Sequence, residues 1–188
     1  MNEQLIKEFQ PSEVFQASKQ IYPLKAPGPD GMPPLFYQHF WPTVGNVVTK
    51  TVLDFLNFGV IPHNFNETQI VLIPKVNRLQ RVIEYRPISL CNMVYKMAAK
   101  TLANKLKKIL PAIISDTQSA FVNDKLITDN ILLAFETMHH ISQRETGQKG
   151  EMALKLDISK VYDRVEGVCL DRIMEKLGFH PRWRNLMM

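Results

Sequence analysis

Cysteine is scarce in this sequence. Cys91 and Cys169 are far apart and in no paired motif. That argues against a disulfide framework and a zinc site, and for two reduced, buried thiols in an intracellular protein. Long apolar runs are missing too. No stretch approaches the roughly 20 uninterrupted apolar residues of a membrane span, so no membrane partner is expected. The start, Met1-Asn2-Glu3-Gln4-Leu5, is polar and acidic and lacks the basic and apolar regions of a secretory signal. There is no internal repeat and no low-complexity segment. The histidines (His39, His63, His139, His140, His180) show no metal-ligand spacing, and adjacent His139 and His140 point to different faces of a helix. No Gly-rich phosphate loop of the Walker or Rossmann kind occurs. No Ser-His-Asp or Cys-His constellation is evident.

What is present is ordinary. Of 188 residues, 45% are hydrophobic and 22% charged, which is enough for a sizeable core in one domain, or in one domain and part of another. The net charge of +5 and pI near 9.2 permit a nucleic-acid partner without arguing for one.

Local patterns then divide the chain. Residues 11 to 20 read as a short helix opened by Pro11 and Ser12, with Val14, Phe15 and Ala17 among its apolar positions. The prolines and glycines of Lys25-Ala-Pro-Gly-Pro-Asp-Gly31 make a fixed turn rather than helix or central strand. Residues 34 to 58 read as two helices, or one bent at Pro42, ending at Gly59. Thr68 to Lys75 is an apolar, β-branched strand expected to be buried on both faces. Asn77 to Glu84 is a polar connection, and Tyr85 to Leu90 is extended. Residues 91 to 110 form a helix. On a helical wheel Ala98, Leu102, Leu106 and Ile109 cluster on one side and Lys96, Lys100 and Lys107 on the other. A helix over Asp129 to Arg144 carries Ile131, Leu132, Phe135 and Met138 as its stripe, with Thr128 as cap. A turn at Gly147 to Gly150, a strand over Met152 to Ile158 and a helix over Gly167 to Leu177, closed by Gly178, complete the chain. The class is α/β (α+β), helix-rich.

Two features carry chemistry. In Leu156-Asp-Ile-Ser-Lys-Val-Tyr-Asp163 an acidic residue closes a short apolar strand, where a carboxylate is a natural hard-oxygen ligand for Mg²⁺. The alternative is a strand-end Asp157 capping the next turn, with Asp163 paired to Arg164. Lys75 and Arg86 flank neighbouring extended segments and could clamp a triphosphate, the arginine through its bidentate fork. The alternative there is two surface charges. The lysine stripe could face a nucleic-acid backbone or simply solvent.

The ordered series Lys25-Ala-Pro-Gly-Pro-Asp-Gly31, Leu72-Ile-Pro-Lys75, Tyr85-Arg-Pro-Ile-Ser-Leu90, Gln118-Ser-Ala-Phe121, Thr128-Asp-Asn-Ile131 and Leu156-Asp-Ile-Ser-Lys-Val-Tyr-Asp163 resembles the reverse transcriptase of LINE-type (non-LTR) retrotransposons, closest to the plant lineage. Each motif is weak alone. Together, in this order, they cover nearly the whole chain.

The resemblance implies polymerase fingers over 1–150 and the beginning of the palm over 151–188. It makes Asp157 the first catalytic aspartate and a Mg²⁺ ligand, with Ile158 offering a backbone carbonyl. It makes Tyr162 the steric gate at the sugar 2′ position. Lys75 and Arg86 would contact the incoming deoxynucleoside triphosphate. Lys25, Gly28 and Asp30 of the turn, with Gln118 and Phe121, would lie along the template. The implied partners are an RNA template and a DNA primer, and the implied place of work is chromosomal DNA in the nucleus. Beyond Lys105, Lys107 and Lys108 no basic import cluster stands out. The sequence does not set an oligomeric state.

Several departures qualify this. Neither the downstream Phe/Tyr-Ala-Asp-Asp hairpin nor the Gly-rich palm motif before it occurs in the 188 residues. Val161 replaces the usual Ala, Asn123-Asp124-Lys125 the usual Pro-Gly-Arg, and Gly167 the usual Trp. The expectation is a chain inactive alone. The alternatives are a relic that still binds RNA or DNA, and an unstable remnant without function.

Overall fold

The computed structural model describes residues 1–78, 80–115, 117–118, 122, 125–143, 152–156 and 164–188. They form two compact units, one over Glu3–Leu106 and one over Lys107–Met188 together with Met1–Asn2.

Helices α1 (Asn2–Ile6), α2 (Pro11–Gln20), α3 (Pro34–His39) and α4 (Trp41–Phe58) build the first unit with strands β1 (Thr68–Pro74) and β2 (Tyr85–Cys91) and helix α5 (Met93–Lys107). Proline stands in the first turn of α2, α3 and α4, where its missing N–H costs nothing. Glu13 returns its carboxylate to the Gln10 N–H (2.8 Å) and fixes the start of α2. The break between α3 and α4 falls at Phe40, just before Pro42, and α4 ends at Gly59 in the left-handed conformation, as the pattern implied.

The core of this unit is a set of i, i+3, i+4 rows. Val14, Ala17 and Ser18 of α2 with Ile21, then Val48, Val52 and Leu56 of α4, are all buried. Each large aliphatic side chain so buried contributes about 1.5–3 kcal/mol. The Phe15 and Trp41 rings meet at 5.4 Å across α2 and α4. The N-terminal segment is pinned by an amide: Asn57 Oδ1 accepts from the Phe9 N–H (2.9 Å), and Asn57 Nδ2 donates to the Phe9 carbonyl (3.2 Å).

Helix α5 departs from the expected wheel. Its buried row is Met93, Met97, Thr101 and Lys105, with Ala98 beside it, while Leu102 and Leu106 are only half-buried. A lysine can hold a core position because its stem packs and its head has partners. The Lys105 ammonium donates to the Lys7 carbonyl and stands 3.7 Å from the centre of the Phe9 ring. The Thr101 hydroxyl donates back to the Met97 carbonyl (2.8 Å).

The second unit holds α6 (Leu110–Ile113), α7 (Ile127–Gln143), α8 (Gly167–Lys176) and α9 (Pro181–Met187). Asn2 belongs to it. Its amide donates to the Gly178 carbonyl (2.8 Å) and accepts from the His180 N–H (3.1 Å). Thr128 lies inside α7 rather than capping it, because the helix begins at Ile127. Asp129 takes the capping part, accepting from the Leu126 N–H (3.3 Å).

Two further expectations are corrected. The stripe Ile131, Leu132, Phe135 and Met138 is exposed along α7. Residues 152–156 form no strand; a strand exists only by pairing, and among the described residues none pairs with them. The rest of that expected strand, and the turn at Gly147 to Gly150, lie outside the described residues. The class is as expected: helix-rich and mixed, with one two-stranded antiparallel sheet.

Candidate nucleic-acid interface

β1 and β2 pair antiparallel from Thr68↔Cys91 to Pro74↔Tyr85, so Ile73 lies opposite Arg86. Residues directly across an antiparallel pair share a side, and sides alternate with a period of two. Arg86 and Ile73 therefore project from one face, at the end of the ribbon where β1 runs out into Lys75. Pro74 and Pro87 are tolerated because each strand of a two-stranded ribbon has a free edge. The expectation of a doubly buried β1 is overturned: all seven of its residues are exposed, Ile70 to 64%. The apolar run is covered by no layer among the described residues.

Lys75 is fixed by the hairpin connection. Its N–H donates to the Glu84 carbonyl (2.8 Å) and its ammonium to the Ile83 carbonyl (2.9 Å). Those carbonyls sit in a 3₁₀ turn over Val82–Glu84 that Glu84 closes, its carboxylate accepting from the Gln80 (2.6 Å) and Arg81 (3.1 Å) N–H groups. The bond from Gln80 and then that from Arg81 lower the Glu84 pKa below the usual carboxylate value. A depressed folded pKa gives a contribution present above the unfolded value and lost as pH falls through the folded one. The connection should therefore loosen in acid, and Glu84→Gln should remove that step. Side-chain titration by NMR checks it; a Glu84 that titrates at the ordinary value would refute it.

At the other end of β2 sits the Lys25–Gly31 turn. The Gly31 N–H donates to the Gly28 carbonyl (3.0 Å), and the Met32 N–H to Asp30 Oδ1 (3.2 Å). Gly28 is buried, and a Cβ built on it would lie 2.4 Å from the Cys91 carbonyl carbon. On either side of this contact the turn is tied to the β2–α5 junction. The Asp30 N–H donates to Asn92 Oδ1 (3.2 Å), and the Lys96 ammonium donates to the Ala26 carbonyl (2.7 Å). Burial lowers the Lys96 pKa, and the Lys25 charge acts in the same direction. The Tyr37 hydroxyl points at Asp30 Oδ2 (3.5 Å); burial first, and the Asp30 charge second, push its pKa up to about 12.

The structure thus brings Lys75 and Arg86 together at one end of the ribbon, and Lys25, Gly28 and Asp30 at the other. Lys25 and Asp30 are exposed, whereas Gly28 serves as the seat. Gln118 is exposed in the second unit, its N–H donating to the Ser115 carbonyl (3.0 Å). Phe121, Asp157, Ile158 and Tyr162 lie outside the described residues. The ties made by Asn92 and Lys96 were missed from sequence. Both link residues distant along the chain, and no local pattern marks them.

The family description "Reverse transcriptase (RNA-dependent DNA polymerase)" matches residues 73–188. The chain belongs to the reverse transcriptase family. It is similar to the "Transposon TX1 uncharacterized 149 kDa protein" of Xenopus laevis, 31% identical over 91% of this chain and 13% of that protein. It is also similar to the "Retrovirus-related Pol polyprotein from type-1 retrotransposable element R2" of Popillia japonica, 24% identical over 92% of this chain and 23% of that protein. The chain therefore spans between about an eighth and a quarter of the length of these relatives. Both relatives are named for mobile elements, in agreement with the non-LTR retrotransposon resemblance of the motifs.

Reverse transcriptases use divalent metal ions in general. A hard cation such as Mg²⁺ demands about six oxygens in octahedral geometry. Among the described residues no three His, Cys, Asp or Glu side chains come together, and the candidate ligand Asp157 lies outside them. Cys169 is exposed and Cys91 half-buried, against the expectation of two buried thiols.

Proposed function

We propose that the chain forms the fingers (1–150) and the first palm motif (151–188) of an RNA-directed DNA polymerase from a LINE-type retrotransposon of the plant lineage, acting on nuclear DNA, and that alone it extends no primer. The observation that carries this is the cation pair at one end of the ribbon, Lys75 held by the Ile83 carbonyl and Arg86 exposed near it. Exposed cations gathered at one end of a ribbon suit the phosphates of an incoming deoxynucleoside triphosphate. The exposed Lys25 and Asp30, with Gln118 and Phe121, are the proposed template contacts, and Gly28 supplies the seat. Asp157, with the Ile158 carbonyl, is the proposed metal ligand and Tyr162 the proposed gate. One carboxylate of the three that the family resemblance implies cannot hold such ions tightly.

A second reading is a non-catalytic chain that retains RNA or DNA binding. The net charge of +5 and the exposed cations favour it.

Primer extension on a poly-A RNA template with Mg²⁺ is the test, comparing the purified chain with Asp157→Asn. Neither should extend, and both should bind RNA with an affinity that falls as salt rises. Extension by the unaltered chain, lost in the variant, would overturn the proposed inactivity.

A further inference from the structure

We infer that Asn92 and Lys96 are positioning residues for a nucleic-acid strand lying along the Lys25–Gly31 turn, locking that turn at a set distance from the Lys75–Arg86 end of the ribbon. The inference rests on the template reading of the turn and assigns its supports. Asn92 uses both ends of its amide. Oδ1 accepts from the Asp30 N–H (3.2 Å), and Nδ2 donates to the Asn64 carbonyl (3.4 Å). The Lys96 ammonium holds the Ala26 carbonyl (2.7 Å). The two ties flank Gly28, whose backbone abuts Cys91 and Asn92. Because Lys96 is engaged with this carbonyl and half-buried, its task is to hold the turn rather than to meet phosphate as one of a solvated stripe.

The geometry sets a spacing. Cys91 stands five residues beyond Arg86 on β2. At about 3.3 Å per residue the seat of the turn lies roughly 17 Å from Arg86. A strand stacked at the duplex rise of about 3.4 Å per nucleotide covers that in roughly five nucleotides, and an extended single strand covers it in fewer. A turn held before binding has no ordering cost left when the strand arrives. The locked turn should therefore reward strands long enough to reach both ends of the ribbon.

The test is fluorescence anisotropy on the purified 188-residue chain with single-stranded RNA of about two and about twelve nucleotides, lengths that bracket the spacing. The unaltered chain should bind the longer RNA at least about ten-fold more tightly, one aromatic- or phosphate-scale contact's worth. Asn92→Ala and Lys96→Met should each lose most of that gain and keep the affinity for the short RNA. Asn92→Ala decides the matter because it removes no charge. If only Lys96→Met weakened binding, by a similar factor for both lengths, Lys96 would be a plain phosphate contact and the inference would fall. Equal binding of the long RNA by the Asn92→Ala and unaltered chains would overturn the positioning role while leaving the template reading intact. An unaltered chain that binds neither RNA, or both alike, would overturn the template reading and the inference with it. Thermal melting separates positioning from unfolding, since a merely structural loss would weaken both lengths together.

Discussion

Replacing Gly28 by alanine should cost about 2–3 kcal/mol of stability and free the Lys25–Gly31 turn. The added Cβ would lie 2.4 Å from the Cys91 carbonyl carbon and 2.5 Å from both the Cys91 oxygen and the Asn92 nitrogen. These are backbone atoms, held on one side by the last ladder pair, Thr68↔Cys91, and on the other by the start of α5. They cannot swing aside as the tip of a side chain can, so the turn must lift. Lifting it removes the Asp30 bond to Asn92 and the Lys96 bond to Ala26. The neutral bond to Asn92 is worth about 1 kcal/mol, the exposed bond from the Lys96 ammonium about as much after screening by water, and overpacking adds about 1–3, partly overlapping. Gly31 is the internal control. It sits at φ 67° with nothing within 4 Å of its Cβ. Gly31→Ala should therefore cost only the conformational strain, about 1 kcal/mol. Urea unfolding gives both values, and amide exchange at Asp30 reports the undocking. A Gly28→Ala loss no larger than that of Gly31→Ala would show that the seat is not rigid.

The same turn shows how far the sequence could be read. Its stiffness was legible, because proline and glycine fix backbone angles locally. Its seat was not, because Asn92 and Lys96 are reached only after the chain folds back over more than sixty residues. The helices were legible where caps and periodicity agree, as in α2 and in α4 ending at Gly59. Burial was read less well. The run Ile70-Val-Leu-Ile73 has the composition of a strand covered on both faces, yet among the described residues β1 pairs with β2 alone and stays exposed. Composition records what a segment can bury against, and the 188 residues need not contain the layer that would cover it. The α5 wheel left out Lys105, which was read only with Lys107 and Lys108 as a basic group, because its two partners, the Lys7 carbonyl and the Phe9 ring, lie far along the chain. At the candidate site, Lys75 and Arg86 were readable as a pair because they flank two neighbouring extended segments, whose pairing brings both to one end of the ribbon.

The largest single loss of stability should come from Trp183→Ala, about 3–5 kcal/mol. Trp183 is 1% exposed, and Met174 and Phe179 are the other buried side chains of the α8–α9 segment. The chain is brought to this arrangement by its own punctuation. Gly178, at φ 80°, lets the Phe179 N–H reach the Met174 carbonyl (3.0 Å) while its own N–H reaches that of Glu175 (2.9 Å). This is the paired-bond ending that turns a helix back with its apolar flanks together. His180 then caps α9 through the Arg182 N–H (3.2 Å), and Pro181 fills the first helical position. Arg184 adds ion pairs to Asp171 (3.1 Å) and Glu175 (2.9 Å), but Glu175 is 60% exposed, and pairs in such reach of water are worth at most about 1 kcal/mol. Apolar burial should therefore outweigh charge here, and Arg184→Ala should cost less than a third of what Trp183→Ala does. Urea unfolding of the two variants side by side decides it; an equal or larger loss from Arg184→Ala would mean that the ion pairs, not the indole, hold α8 to α9. The outcome bears on the candidate chemistry, because α8 begins four residues after the Leu156–Asp163 motif along the chain.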